Sequence, residues 1–228
     1  MEDGQDTSGA KKEEPGGSES GSESSNKAKI VVIGVGDGVQ SAIGQITKKK
    51  LEINTLDLKT AAVSTDATNK TLWEADRTYI IDPKELVYNP KTHKYDWISK
   101  RISKSIANDM KNARIVIIMA CLGGRTGDTI APLFSEYAKQ IGKQVFSIVT
   151  LPFKAETKRR RTAKYAKRII GRVSDKIIVL DNETMLRFTK KDFFTALQVM
   201  DNMFVQTVET VLRRLGFTCH FGRSSSEV

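Results

Sequence analysis

Residues 119–132 read Met119-Ala-Cys-Leu-Gly-Gly-Arg-Thr-Gly-Asp-Thr-Ile-Ala-Pro132, directly after the apolar run Ile115-Val-Ile-Ile118. The order is strand, glycine turn, helix start. Gly123, Gly124 and Gly127 leave backbone N–H groups uncovered, and Thr126 and Thr129 add hydroxyl donors. Pro132 suits the first turn of a following helix, where its missing N–H costs little. Such a turn is an anion cradle, because bare amides and a helix N-terminus both direct positive charge at a phosphate.

Upstream, a second glycine turn, Gly34-Val-Gly-Asp-Gly38, follows the short apolar strand Lys29–Ile33. Alone it is a weak signal, since such turns also join strand to helix with no ligand. A dinucleotide fingerprint would require a third glycine or alanine at fixed spacing and an acidic residue about 20 positions on. Ser41 stands at the third place, and Asp57 lies on a polar stretch. A Walker loop would require a lysine that neither turn has. Two glycine turns, each after a strand, fit one nucleotide held between two helix N-termini.

Around these turns the chain alternates. Helices are expected at 41–49, 96–112, 132–141 and 155–172, and strands at 60–64, 114–120, 144–150 and 176–180. Phe193, Leu197, Met200, Phe204, Val208, Val211 and Leu215 then recur at steps of three and four, which predicts one long helix over 191–215. The pattern predicts an α/β fold: a Rossmann-like, mostly parallel sheet with helices on both faces, ending in a long core helix.

The chain has 228 residues and a net charge of +10. Residues 1–27 hold seven acids against three lysines and almost no apolar side chain, so they read as a disordered acidic tail. The rest of the chain therefore carries +14. Residues 28–190 form the expected globular body, 191–215 its long helix, and 216–228 a short C-terminal tail. The acidic, polar N-terminus is not a signal peptide and no apolar run spans a bilayer, so a cytoplasmic location is expected. Cys121 and Cys219 make no disulfide framework. His93 and His220 are isolated, and no metal site is expected from His and Cys. Residues 158–172 hold eight Lys or Arg and no acid. A solvated helix face and a surface for nucleic acid or anionic membrane are both open readings of that stretch.

Five ordered segments resemble the tubulin/FtsZ superfamily of GTPases, the FtsZ branch more closely. Gly123-Gly-Arg-Thr-Gly-Asp-Thr129 stands where the family has GGGTG[ST]G. Val149–Arg160 is similar to its VTxPFxFEGxxR segment, Asp175–Glu183 to DSLITIPND, and Ser64-Thr-Asp66 to its NTD turn. The first glycine turn completes the set. The resemblance implies a GTP/GDP-binding domain, with Mg²⁺ as an accompanying ion. It implies that Gly36, Gly38 and Ser41 form the first phosphate loop, and Gly123, Gly124, Arg125, Thr126 and Gly127 the main one. Glu156 would accept from the ribose hydroxyls and Arg160 would lie at the nucleotide rim. Asn182 would face sugar and base, and Asp201 would accept from the guanine N1–H and 2-amino group. Adenine offers neither donor, so that carboxylate would penalise ATP.

The sequence departs from the family at informative places. Arg125 replaces the third glycine, and can either grip phosphate or point outward. Asp128 and Asp37 put carboxylates beside the phosphates, which requires a cation between them or lowers affinity. The family's base-stacking aromatic is Leu197 here. The family's long helix leads to a loop carrying NxDxxD and a second domain. The stretch Gly216–Arg223 has no acidic residue at all. No catalytic residue is therefore assigned. The expected function is guanine-nucleotide binding with little self-activated hydrolysis, in a cytoskeletal or cell-division component or its regulator. FtsZ-like subunits or further copies of the chain are the expected partners. A partner-activated GTPase and a nucleotide-independent scaffold remain as alternatives.

Overall fold

A computed structural model describes residues 28–49, 56–68, 73–82, 86–89, 94–97, 102–184 and 193–217. The expected tail at 1–27, Cys219 and both histidines lie outside the described residues. Six strands, β1 (Ala28–Val35), β2 (Leu56–Ser64), β3 (Arg77–Ile80), β6 (Ile115–Cys121), β7 (Gln144–Leu151) and β8 (Lys176–Asp181), form one sheet. Its order is β3-β2-β1-β6-β7-β8, and every pairing is parallel. The pair β4 (Leu86–Asn89) and β5 (Lys94–Trp97) makes a separate antiparallel ladder.

An all-parallel sheet is covered on both faces, so its central strands carry no polar alternation. Ile30–Ile33 and Ile115–Ala120 are accordingly all buried. One face packs against α1 (Gln40–Lys49) and the long α5 (Phe193–Arg214): Ile30, Val32, Ile117 and Met119 meet Ile43, Ile46, Phe204, Val208 and Leu212. The other face packs against α2 (Ile102–Asn112), α3 (Arg125–Gln140) and α4 (Thr157–Val173) through Ile106, Met110, Phe134, Ala138, Ala163, Ala166 and Ile170. With 22 residues, α5 is about 33 Å long. No helix among the described residues is long and apolar enough to cross a membrane.

Three expectations are corrected. Asp96 and Trp97 belong to strand β5, where Trp97 sits opposite Leu86, and the helix begins only at Ile102. A short apolar run satisfies helical and extended spacing equally, and the ladder decides. The helix after the glycine turn starts at Arg125, so Pro132 is internal and not in the first turn. The Gly-Thr composition reads as loop, yet the close approach of Gly127 to β6 winds it into helix: a Cβ there would stand 2.3 Å from the Cys121 carbonyl oxygen. Pro132 therefore leaves the Asp128 carbonyl without its intrahelical donor. Leu197 is not part of the buried stripe and is 45% exposed. It lies one turn before Asp201, near the N-terminal end of α5.

The topology fixes where a ligand can sit. From β1 the chain builds outward to β2 and β3, and from β6 it builds the opposite way to β7 and β8. The reversal lies between β1 and β6, and open α/β sheets bind ligands at the C-terminal ends of the strands flanking such a reversal. Both glycine turns leave the sheet at this point. Asp57 is the second residue of β2, at the opposite edge of the sheet, where it is of no use to a dinucleotide.

Candidate nucleotide site

The first turn is shaped by close approaches. Gly36 has φ +86°, and its N–H donates to the Val63 carbonyl at 2.7 Å. A Cβ on Gly36 would lie 3.7 Å from Thr126 Cβ and 3.8 Å from the Gly127 nitrogen. The two glycine turns, 90 residues apart in sequence, are thus in van der Waals range. A Cβ on Gly38 would stand 2.9 Å from Cys121 Sγ, and that thiol donates to the Gly38 carbonyl at 3.3 Å. Burial pushes the Cys121 thiol up to about 11, so it behaves as packing and not as a nucleophile. Gln40 reaches back from the start of α1 and donates through Nε2 to the Gly36 carbonyl at 2.8 Å.

The second turn supplies the amides. Gly124 is the N-cap of α3 and no side chain caps the helix. The first intrahelical bond runs from the Asp128 N–H to the Gly124 carbonyl at 3.0 Å. The N–H groups of Gly124, Arg125, Thr126 and Gly127 therefore have no intrahelical acceptor. A Cβ on Gly124 would meet nothing within 4 Å, so the helix start is open at Gly124, while Gly127 is buried against β6. Gly123, at φ +90°, is held from behind: a Cβ there would stand 2.4 Å from Pro152 Cγ. Arg159 Nε donates to the Gly123 carbonyl at 3.0 Å. Asp128 turns back onto the turn and accepts from the Gly123 N–H at 2.7 Å. A third loop joins from β2, where Thr65 and Thr126 meet hydroxyl to hydroxyl at 2.7 Å.

The remaining expected residues fall into two groups. Asp201 on α5 lies beside the Ser41 side chain at the start of α1, which brings this carboxylate next to the first glycine turn. Burial raises its pKa above the ordinary carboxylate range, and the Ser41 contact works against that rise. Glu156 and Arg160 are engaged within the protein. The Glu156 carboxylate accepts from the Phe153 N–H at 3.1 Å and pairs with Arg159. Arg160 forms a fork with Asp181 at 3.0 and 2.7 Å and also donates to the Pro152 carbonyl. Arg125 and Asp37 are exposed.

Buried side-chain oxygens without a hydrogen-bond partner occur, among the described residues, at Gln40 Oε1 and Asn182 Oδ1. Both lie at the C-terminal edge of the sheet, Gln40 in the crook of the first turn and Asn182 just after β8. Each is a place where a ligand donor would satisfy a group that otherwise costs free energy. No cluster of three His, Cys, Asp or Glu among the described residues could hold a metal ion by itself. A Mg²⁺ here would ride on the triphosphate, as Mg²⁺ commonly does.

Sequence reasoning did not single out Gln40, Thr65 or Arg159 as site residues. Thr65 was inside a quoted segment, but a Thr–Thr contact across two loops has no sequence signal. The basic run 158–161 was visible, and only geometry tells Arg159, which braces the turn, from Arg160, which braces β8.

A doubly wound α/β domain with paired glycine turns at its switch point is the class this arrangement defines. Residues 29–190 match the family model described as Tubulin/FtsZ family, GTPase domain, and the chain belongs to that family. It is 31% identical over 193 residues to "Cell division protein FtsZ 1" of Pyrococcus abyssi, covering 81% of this chain and 50% of that protein. Among solved structures it is similar to the empty FtsZ dimer of M. jannaschii, with a TM-score of 0.65, 28% identity, and coverage of 82% of this chain and 55% of that one. The fold is shared as well by a GTPγS-bound protofilament of CetZ2 from Haloferax volcanii, at a TM-score of 0.62 and 17% identity, over 81% of this chain and 58% of that one. The chain spans about half the length of the curated relatives it matches.

Proposed function

We propose that this chain binds guanine nucleotide, GTP or GDP, with the polyphosphate on the α3 N-terminus and the base against Asp201. The observation that carries this reading is the meeting of the two glycine turns at the β1/β6 switch point. Four amides without an intrahelical acceptor start α3 there, with open space beside Gly124. Amides fixed in this way bind phosphate oxygens without reorganising, and the helix dipole adds to them. Asp201 beside Ser41 supplies the selectivity: an ionised carboxylate accepts two hydrogen bonds from guanine and finds none on the adenine edge. Gly36, Gly38, Ser41, Gly123, Gly124, Arg125, Thr126 and Gly127 hold the tail. Glu156, Arg160 and Asn182 would meet the sugar side, Glu156 by exchanging Arg159 for ribose hydroxyls. Mg²⁺ would neutralise the bound triphosphate.

Hydrolysis by this chain acting alone is proposed to be slow. In the family that the chain belongs to, carboxylates of the loop after the long helix polarise the attacking water, and the stretch Gly216–Arg223 offers none. The role that follows is a nucleotide-binding element of a cell-division or cytoskeletal assembly, in contact with FtsZ-like subunits or with further copies of itself. The decisive experiment is calorimetric titration with GTP, GDP and ATP, with and without Mg²⁺, on wild type and on Asp201→Ala. Tight GTP binding, weak ATP binding and loss of that preference in the variant are expected. Absence of any guanine-nucleotide binding would leave a scaffold that keeps only the fold. GTP turnover that rises steeply with protein concentration would overturn the slow-hydrolysis part alone.

A further inference from the structure

Helix α4 carries eight Lys or Arg between residues 158 and 172 and no acid. Its apolar side is narrow and fully used: Ala163, Ala166 and Ile170 are buried against the sheet and α3. Two of the eight cations serve the fold, Arg159 on the Gly123 carbonyl and Arg160 on Asp181. Among the described residues, Arg161, Lys164 and Arg168 meet no carboxylate. Lys154, Thr157, Arg161, Lys164, Tyr165 and Arg168, with Arg160 at the base, line an open groove of about 720 Å³. From Thr157 to Arg168 the groove follows one helix face for roughly 16 Å. At its middle stands Tyr165, 63% exposed, an aromatic ring left in water among cations.

We propose that this groove is a docking surface for single-stranded nucleic acid, with phosphates on Arg161, Lys164 and Arg168 and a base stacked on Tyr165. Charge complementarity selects a polyanion, because like cations lined up without acids are mutually repulsive until a counter-charge fills the groove. The exposed ring selects one that carries bases, since a cationic groove with an aromatic platform is how strands are held without sequence readout. A bilayer surface fits less well: an interfacial helix lays an apolar face into the lipid, and that of α4 is spent on the core. The inference is independent of guanine-nucleotide binding at the switch point, and neither fails with the other.

The test is fluorescence anisotropy of a labelled oligothymidylate titrated with the full chain between about 50 and 200 mM salt, with heparin and phosphatidylserine vesicles as parallel probes. Lys164→Glu/Arg168→Glu is expected to lose about tenfold or more in oligothymidylate affinity and to flatten the salt slope by roughly one to two. The matched control Lys59→Glu/Lys104→Glu, with both sites exposed and off the groove, should change affinity by less than about twofold, the size expected of a general charge effect on a distant site. Tyr165→Ala should cost about fivefold or more for oligothymidylate and nothing for heparin, which has no bases, and Tyr165→Phe should restore binding. Equal losses in groove and control variants, equal Tyr165→Ala losses on both polyanions, or binding to vesicles alone would each overturn the proposal.

Discussion

The Asp128 carboxylate accepts its hydrogen bond from the Gly123 amide at 2.7 Å, so this acid is turned back onto the second glycine turn and not across it. Burial raises its pKa, while the Gly123 amide, the Thr162 hydroxyl and the nearby Arg159 pull it down. The contact removes one amide from the cradle and leaves a negative charge beside it. Asp128→Asn keeps an oxygen acceptor for Gly123 and removes the charge. It is expected to tighten GTP binding about threefold to tenfold, the size of one unit charge at short range in a partly solvated site. Asp128→Ala frees the amide as well but leaves the turn unbraced, and should cost about 1 kcal/mol of stability. Titration and thermal melts read the two effects separately. Weaker GTP binding by Asp128→Asn would mean that the carboxylate holds a cation instead.

Gly124 and Gly127 are three residues apart and predict opposite outcomes. A Cβ on Gly127 would stand 2.3 Å from the Cys121 carbonyl oxygen, which is backbone and cannot step aside. Gly127→Ala must therefore push α3 off β6, and is expected to destabilise by about 3 kcal/mol, at the upper end of overpacking costs. A Cβ on Gly124 meets nothing within 4 Å, so Gly124→Ala should cost less than about 1 kcal/mol. Its methyl group would project into the open space proposed for the phosphates, and GTP affinity should fall more than about tenfold through lost charge-assisted hydrogen bonds. Wild-type affinity in Gly124→Ala would show that the amides at the start of α3 do not face the phosphates.

The parallel sheet was legible because its strands are buried on both faces: Ile30–Ile33 and Ile115–Ala120 read as continuous apolar runs bounded by glycine. The two turns were legible for the same local reason. The start of α3 was not, since Arg125-Thr-Gly-Asp128 becomes helix only through the approach of Gly127 to Cys121, which no local spacing encodes. Trp97 lies similarly in β5, opposite Leu86 of β4, a strand pairing that local spacing does not encode. At the site, the distinction between Arg159 and Arg160 lies in which carbonyl or carboxylate each meets across a turn. A run of adjacent cations carries no trace of that choice.

Arg160 and Asp181 close a fork between α4 and the end of β8, with side-chain exposures of 14% and 30%. The Arg160 guanidinium holds the Asp181 carboxyl below its usual range. A lowered folded-state value means that folding favours the ionised form. The contribution is therefore present above the unfolded value of about 3.9 and is lost as pH falls through the folded one. A double-mutant cycle of Arg160→Ala and Asp181→Ala should give a coupling of about 1–2 kcal/mol at neutral pH, fading below about pH 4. Arg160→Lys keeps the charge without the fork and should recover less than half. A coupling that is unchanged down to the acid limit of folding would show that the pair is not held by charge.

Asp201 carries the opposite sign. Burial raises its pKa, so the folded, empty protein holds the proton more tightly than the unfolded chain does. Its contribution to stability is complete below the unfolded value of about 3.9 and is lost as pH rises through the raised folded one. Reading guanine needs the ionised form, because a protonated carboxyl has one acceptor fewer and presents a donor to N1–H. Binding of GTP should therefore release a proton from Asp201 over the window where the empty site is still protonated. The ratio of GTP to ATP affinity cancels the ionisation of the triphosphate, which both nucleotides share. That ratio is expected to climb with pH through the Asp201 transition, above the range of an exposed aspartate, and to level off once the acid is fully ionised. Asp201→Asn should flatten the profile and lower the plateau about a hundredfold, the worth of two hydrogen bonds to a charged acceptor. A wild-type ratio that stays level across the same window would place the base elsewhere than on Asp201.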